Sequence, residues 1–337
     1  MTSEQRRILT SIGVTLGDFP ESIGLAYTAP KLVMTLTQAA AGFSNPINMQ
    51  EESACFEAWC LIIKAQTSNP GLKIELYVDG ITVASYPGGK PDNGHLGRFL
   101  YRILKFSEQY KQWFELSPIL DNLKNKFKTY LDSHTFVTSA PSGAPKKAIA
   151  NYNLESYVEY LFCDSISAQK DVLGLSSGTT IDRQLPVSLF DATKSNTTGV
   201  FTGGKSAIDF WAVDGDTINV YELKSDNPMV GIITEIFFYS NYVHDVFISK
   251  SLDHGKGCVE IEDGTYRSYN KIIAVKQVKG IMLSNSNRKG WHSSLVPPIR
   301  TAIEKIMNAN GMSGAIQYKF LEYQLNPLKI GGYYISK

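Results

Sequence analysis

The clearest alternation in the chain lies between Gly203 and Lys224, GGKSAIDFWAVDGDTINVYELK. Asp214-Gly215 sits there between two runs of apolar, β-branched and aromatic residues, the strongest short-range signal for a β-hairpin. Strands are predicted over roughly Ser206 to Val213 and Asp216 to Lys224. Around them the second half of the chain alternates helical and strand patterns. Asn153 suits the N-cap of a helix whose apolar stripe is Leu154, Tyr157, Val158, Leu161 and Phe162. Gln184 to Phe190 fits a short strand, with Pro186 arguing for a sheet edge. Beyond the hairpin, Ser225 to Pro228 caps a helix reaching about His244, and Gly255 to Ser268 suits a loop or small hairpin. Lys279 to Leu283 reads as a buried strand, Leu295 to Asn308 as a helix entered at Pro297-Pro298, and Ile316 to Leu325 as a final strand.

The first half is less regular. Ile8 to Leu16 and Lys31 to Ala41 carry apolar residues without a clear period. From about Gln50 the run ESACFEAWCLIIKAQ fits an amphipathic helix, with Cys55, Phe56, Trp59, Ile62 and Ile63 at three- and four-residue spacing. Lys73 to Val78 and Ile81 to Tyr86 flank Asp79-Gly80 and read as a second hairpin. The run HLGRFLYRILKFSEQYKQWFEL turns Phe99, Leu100, Ile103, Phe106, Tyr110 and Phe114 inward on one helix, and another covers about Ser117 to Ser133. Thr138 to Ala150, rich in Ser, Pro, Gly and Ala, reads as an inter-domain linker. Two domains are therefore expected: an α+β unit over 1–140 and an α/β unit over 147–337.

Acids rarely sit inside strands unless they are paired or bind metal. Asp209 lies between Ile208 and Phe210, and the second hairpin strand ends Val-Tyr-Glu-Leu-Lys at 220–224. A two-residue turn at Asp214-Gly215 makes Val213 face Asp216 and puts Asp209 opposite Val220. Alternation then sets Glu222 and Lys224 on the face that carries Asp209. Glu222 becomes its diagonal neighbour, roughly 7–8 Å away between Cα atoms. Hard oxygen ligands beside a lysine suit phosphodiester hydrolysis: carboxylates hold Mg²⁺, and the lysine stabilises developing charge or orients the attacking water. The same residues also suit a hairpin whose acids merely face solvent.

The chain of 337 residues is 43% hydrophobic and 19% charged, enough apolar material for a substantial core. Its net charge of +1 carries no overall polyanion signature, so any nucleic-acid contact must be local. Arg98, Arg102, Lys105 and Lys111, then Lys124, Lys126 and Lys128, form candidate phosphate contacts on successive helices, partly offset by Glu108, Glu115 and Asp121. Lys205, Arg288 and Lys289 are further candidates. Cys55, Cys60, Cys163 and Cys258 lack metal-site spacing and read as reduced thiols. Neither a transmembrane run nor a signal-peptide core is apparent, so a cytoplasmic protein without membrane partners is expected. No P-loop, GxGxxG or GxSxG motif is present.

Asp209, twelve intervening residues and Glu222-Leu223-Lys224 resemble the motif of the PD-(D/E)xK nuclease superfamily, with its restriction endonuclease-like fold. The order helix, strand, hairpin, helix, strand, helix, strand over about 190 residues (roughly 147–337) matches that family. Ile208 stands where the family often has proline, and Glu235-Ile-Phe-Phe-Tyr239 where several relatives carry Gln-x-x-x-Tyr. The resemblance implies a mixed sheet flanked by helices and a metal-dependent endonuclease acting on nucleic acid, DNA foremost. It implies Asp209 and Glu222 as ligands of Mg²⁺ (or Mn²⁺) and Lys224 as the catalytic lysine. The third carboxylate comes from the first helix, Glu155 matching the family pattern better, with Glu159 the alternative. Such nucleases often pair as homodimers to cut both strands. The rival expectation is a catalytically silent nuclease-fold module that binds nucleic acid or a protein partner.

Overall fold

A computed structural model of the protein describes residues 1–139, 153–165, 173–201, 206–225, 230–252, 272, 274–285, 293–329 and 332–336. Most of the expected linker, the segment 255–268, and Lys205, Arg288, Lys289 and Cys258 lie outside the described residues. The chain is mixed α/β. Its first half runs α1 (Ser3–Ser11), β1 (Gly24–Thr28), β2 (Lys31–Leu36), α2 (Phe56–Gln66), β3 (Lys73–Val78), α3 (Gly94–Gln109), β4 (Phe114–Leu116), α4 (Pro118–Ser133) and β5 (Phe136–Val137). The second half runs α5 (Leu154–Tyr160), β6 (Ile181–Pro186), β7 (Phe190–Asp191), β8 (Ala207–Asp214), β9 (Thr217–Lys224), α6 (Gly231–Val243), β10 (Gln277–Asn285), α7 (Pro297–Asn308), β11 (Ile316–Lys329) and β12 (Gly332–Ser336).

A four-stranded mixed sheet, ordered β1-β2-β3-β4, organises the first half. A six-stranded mixed sheet, ordered β12-β11-β10-β9-β8-β6, organises the second, and β5 pairs with β7 between them. In the larger sheet β9, β10 and β11 are parallel, while β8 and β6 add antiparallel strands. Parallel strands covered on both faces read as near-continuous apolar runs. That explains the unbroken burial of Ile218 to Leu223.

One face of this sheet, through Phe210, Tyr221, Leu223, Ile281 and Leu283, packs on Val158 of α5 and on Phe162. The other face, through Trp211, Val213, Ile218, Val220 and Met282, belongs to the large core containing α6. That core continues through α2 and α3 of the first half. Buried polar links reinforce the contact. Arg102 Nε donates to Glu57 Oε1 at 2.7 Å, and Thr234 Oγ1 of α6 donates to Glu57 Oε2 at 3.0 Å. Tyr101 donates to Asp245 at 2.8 Å, and Lys105 pairs with the same carboxylate. A Cβ on Gly231 would lie 2.1 Å from the Gln50 carbonyl oxygen, so only glycine lets α6 start this close to the first half.

Several expectations are corrected. The single helix expected to turn Phe114 inward ends at Gln109, and Phe114 lies on β4. Asp214 pairs with Thr217, so the central turn residues are Gly215 and Asp216, one position further along. Gly215 has φ of 62°, which suits the first central position of a type II′ turn. Face parity is unchanged, but the ladder, continued one step past Phe210 and Tyr221, sets Asp209 directly across from Glu222 rather than diagonal to it. Asp79-Gly80 makes no hairpin, because β3 lies parallel between β2 and β4 and both its edges are taken. The chain instead enters a short 3₁₀ turn, Val83–Ser85, capped by Thr82. Finally, α2 starts at Phe56 and is buried along Phe56 to Ile63 rather than on one stripe, because it packs against α6 and α7 as well as touching Met34 of β2. The strand expected over 184–190 divides into β6, at the sheet edge as Pro186 suggested, and the short β7. Cys55, Cys60 and Cys163 are free thiols, and no helix among the described residues is long and apolar enough to cross a membrane.

Candidate active site

Asp209 sits where the strand pairing of β8 is interrupted on both sides. Towards β6, paired residues are Arg183 with Phe210 and Leu185 with Ile208, and Gln184 between them has φ of 56°. Such a conformation is strained for a residue with a Cβ. Towards β9, the Asp209 side chain itself replaces a ladder partner: Oδ2 accepts the Leu223 amide at 2.7 Å. The carboxylate is thus anchored by the strand that carries Glu222 and Lys224.

Lys224 Nζ donates to Glu222 Oε1 at 2.7 Å and lies 2.9 Å from Glu235 Oε2, reaching from β9 to α6. Glu222 Oε2 is buried without a hydrogen-bond partner. Burial, reinforced by neighbouring carboxylates, pushes the pKa of Asp209 and of Glu222 well above the usual carboxylate range, and Lys224 opposes this only in part. Glu155 is raised too, first by burial. Burial works against the Lys224 charge, but Glu222, Glu235, Asp209 and Glu155 together hold its pKa well above the ordinary lysine value. Lys224 is therefore an ammonium at neutral pH.

A cavity of about 370 Å³ joins these groups. Glu155, Asp209, Glu222, Lys224, Glu235 and Tyr239 line it from the second half, and residues 48–50, His95 and Arg98 line it from the first. The two helix acids part company. Glu155 lines the cavity, whereas Glu159 accepts from Arg183 Nη2 at 2.9 Å and from Gln184 at 3.0 Å. Glu235 of α6 holds Lys224. His244 pairs with Asp245 at 2.9 Å and does not line the cavity.

The basic stripe of α3 separates as well. Arg102 and Lys105 are spent on Glu57 and Asp245. On α4, Lys124 and Lys128 pair with Asp121 and Asp132, and Lys126 donates to the Val83 and Tyr86 carbonyls. Lys111 is exposed. Arg98 alone of that set reaches the cavity. His95, Asn48 and Gln50 were not legible as site residues. The available signal was the 98, 102, 105 spacing, which aligns cations on one side of an otherwise apolar helix.

The donor set around Asp209, Glu222 and Glu155 is all hard oxygen, and Glu222 Oε2, buried against the Glu235 carboxyl, is an atom that either a cation or a shared proton would satisfy. These residues fit a divalent ion such as Mg²⁺. Among the described residues, no three acids, histidines or cysteines form a metal-binding group, and Lys224 rests on Glu222 and Glu235. Comparison of the chain with protein-family models, with curated proteins and with solved structures finds no match.

Proposed function

We propose that the protein is a metal-dependent nuclease that hydrolyses phosphodiester bonds in nucleic acid, DNA foremost. The observation that carries this reading is the convergence of Asp209, Glu222, Glu155 and an obligatorily charged Lys224 in one cavity at the open end of a hairpin. The sheet order of the second half, with the acid-bearing hairpin beside two parallel strands, supports a restriction endonuclease-like core. Asp209, Glu222 and Glu155 would hold Mg²⁺ or Mn²⁺, which would supply polarisation of the phosphoryl group and acidification of a water.

The chain's own groups do the rest. Leu223 N–H keeps one Asp209 oxygen fixed and leaves the other for the site. Lys224 places its ammonium where negative charge develops on the phosphoryl oxygens, and Glu235 steadies it. A preformed charge of this kind needs little reorganisation during the reaction. The first half forms one side of the cavity through residues 48–50, His95 and Arg98.

The rival, a nuclease-fold module that binds without cutting, draws on the Lys224 ammonium being already paired with two glutamates. Incubation with plasmid and with circular single-stranded DNA, in Mg²⁺, Mn²⁺ or EDTA, separates the two. Cutting that requires metal and is abolished in Asp209→Asn supports the nuclease, whereas no cutting of either DNA together with no metal binding favours the module.

A further inference from the structure

We propose that Arg98, oriented by His95, forms a phosphate-binding subsite through which the first half of the chain seats the nucleic acid in the cavity. The nature of the polymer rests on the nuclease reading above. The ligand chemistry rests on Arg98 itself.

Four arginines are buried among the described residues: Arg98, Arg102, Arg183 and Arg300. Three have a carboxylate, in Glu57, Glu159 and Glu322 respectively. Arg98 is 6% exposed, and the described residues give it no ion pair. Its Nη2 donates to His95 Nδ1 at 3.3 Å, and its Nε is buried with no hydrogen-bond partner. Burial pulls its pKa down to about 10, which still leaves the guanidinium charged at neutral pH. A buried cation without a direct ion pair is costly; Glu235 acts on Arg98 only across the cavity that both line. The simplest occupant that repairs the deficit is an anion brought by the ligand.

The chemistry favours phosphate. A guanidinium fork matches two phosphate oxygens, and here Nε and the remaining N–H groups are not committed to a carboxylate. His95 is suited to hold the fork without competing for the anion. Burial, then Arg98, keeps its pKa low, so its Nδ1 serves as acceptor. The start of α3 offers no alternative anion site, because Asn93 Oδ1 already accepts the His95 and Leu96 amides. The acidic part of the same cavity repels a polyanion, so a fixed cation beside it determines where a phosphate can enter. Helix α3 holds Arg98 rigidly, since the next turn is locked through Arg102 and Glu57.

The test is fluorescence anisotropy in EDTA, which removes metal chemistry from the readout. The probes are a fluorescein-labelled single-stranded 12-mer with and without a 5′-phosphate, and inorganic phosphate as competitor. Arg98→Met, which keeps the length and removes the charge, is expected to weaken binding at least tenfold. Losing one phosphate contact also reduces the slope of log K against log salt by about 0.7. Arg98→Lys should retain part of the affinity, and it serves if Arg98→Met fails to fold by circular dichroism. A loss confined to the 5′-phosphorylated probe assigns the subsite to a chain end, and a loss on both probes assigns it to an internal phosphate. Wild-type affinity and salt slope in both variants would overturn the subsite. Cutting by the wild type in Mg²⁺ is scored alongside. Arg98-dependent binding with no cutting would sustain the subsite and remove the hydrolase reading.

Discussion

The Asp209 carboxylate takes the Leu223 amide at 2.7 Å, and so stands in for a backbone partner where β8 and β9 part. The bond fixes the acid but does not neutralise it. Desolvation still dominates, and the Asp209 pKa is held well above its ordinary value. An acid whose pKa is raised by folding stabilises the fold while protonated, and that contribution is lost as pH rises through the raised pKa. Asp209→Asn keeps the Leu223 bond and removes the charge. In EDTA at pH 8 the variant is expected to unfold at higher temperature than the wild type, by the equivalent of about 1–3 kcal/mol. The gap should shrink as pH is lowered, because Asp209 takes up its proton as pH falls through the raised pKa. A variant less stable than the wild type at pH 8 would show that desolvation is not what governs this site.

The same carboxyl groups must shed protons to bind a cation, so metal binding competes with protonation. The Tm increase produced by 5 mM Mn²⁺ is expected to grow between pH 5 and pH 8. Where the ion reaches about 100 times its dissociation constant, the increase corresponds to about 2.7 kcal/mol. It should vanish in Asp209→Asn. An equal shift in that variant would place the ion elsewhere.

Glu155 and Glu159 lie one turn apart, yet only Glu155 lines the cavity, and Glu159 is paired with Arg183. Glu155→Gln is expected to lower cleavage at least tenfold with little change in Tm. Glu159→Gln removes the carboxylate paired with the buried Arg183 guanidinium and should cost about 3–5 kcal/mol of stability. Cleavage measured below its lowered Tm should remain within a few-fold of wild type. The reverse pattern would exchange their roles.

How far the sequence carried is clearest residue by residue. The Asp-Gly turn, the alternation around it and the Glu-x-Lys ending placed Asp209, Glu222 and Lys224 on one face without any tertiary information. The register slipped because glycine took the first, not the second, central turn position. Asp79-Gly80 gave the same local signal and failed, because β2 and β4 had already claimed both edges of β3. His95 and Gln50 were beyond reach for a different reason, and Arg98, legible as a candidate phosphate contact, could not be told apart from Arg102 and Lys105. They join the site only because α2 and α3 share a core with α6, a packing relation that no local pattern encodes. The first fifty residues hide α1, β1 and β2 because these elements are short and β1 stays largely exposed.

That shared core has its own consequence. Glu57 binds Arg102 within the first half and Thr234 across from the second. Arg102→Met leaves Glu57 buried and unpaired, and is expected to cost about 3–5 kcal/mol. Because the link spans both halves, calorimetry should show one unfolding transition moved as a whole. Two transitions, with only the earlier one shifted, would show that the halves unfold independently.

The central claim concerns Lys224. Among the described residues it is the one cation paired with the glutamates of the cavity, and its environment keeps it charged. The most direct measurement is the single-turnover rate of plasmid cutting in Mg²⁺, wild type beside Lys224→Ala, with EDTA blanks and both proteins checked for folding. A metal-dependent rate that falls by about 10²–10³ in the variant is the expected result, in line with removal of one preorganised charge-stabilising group. Equal rates in the two proteins, or cutting that survives EDTA, would contradict the assignment of this cavity as a nuclease active site.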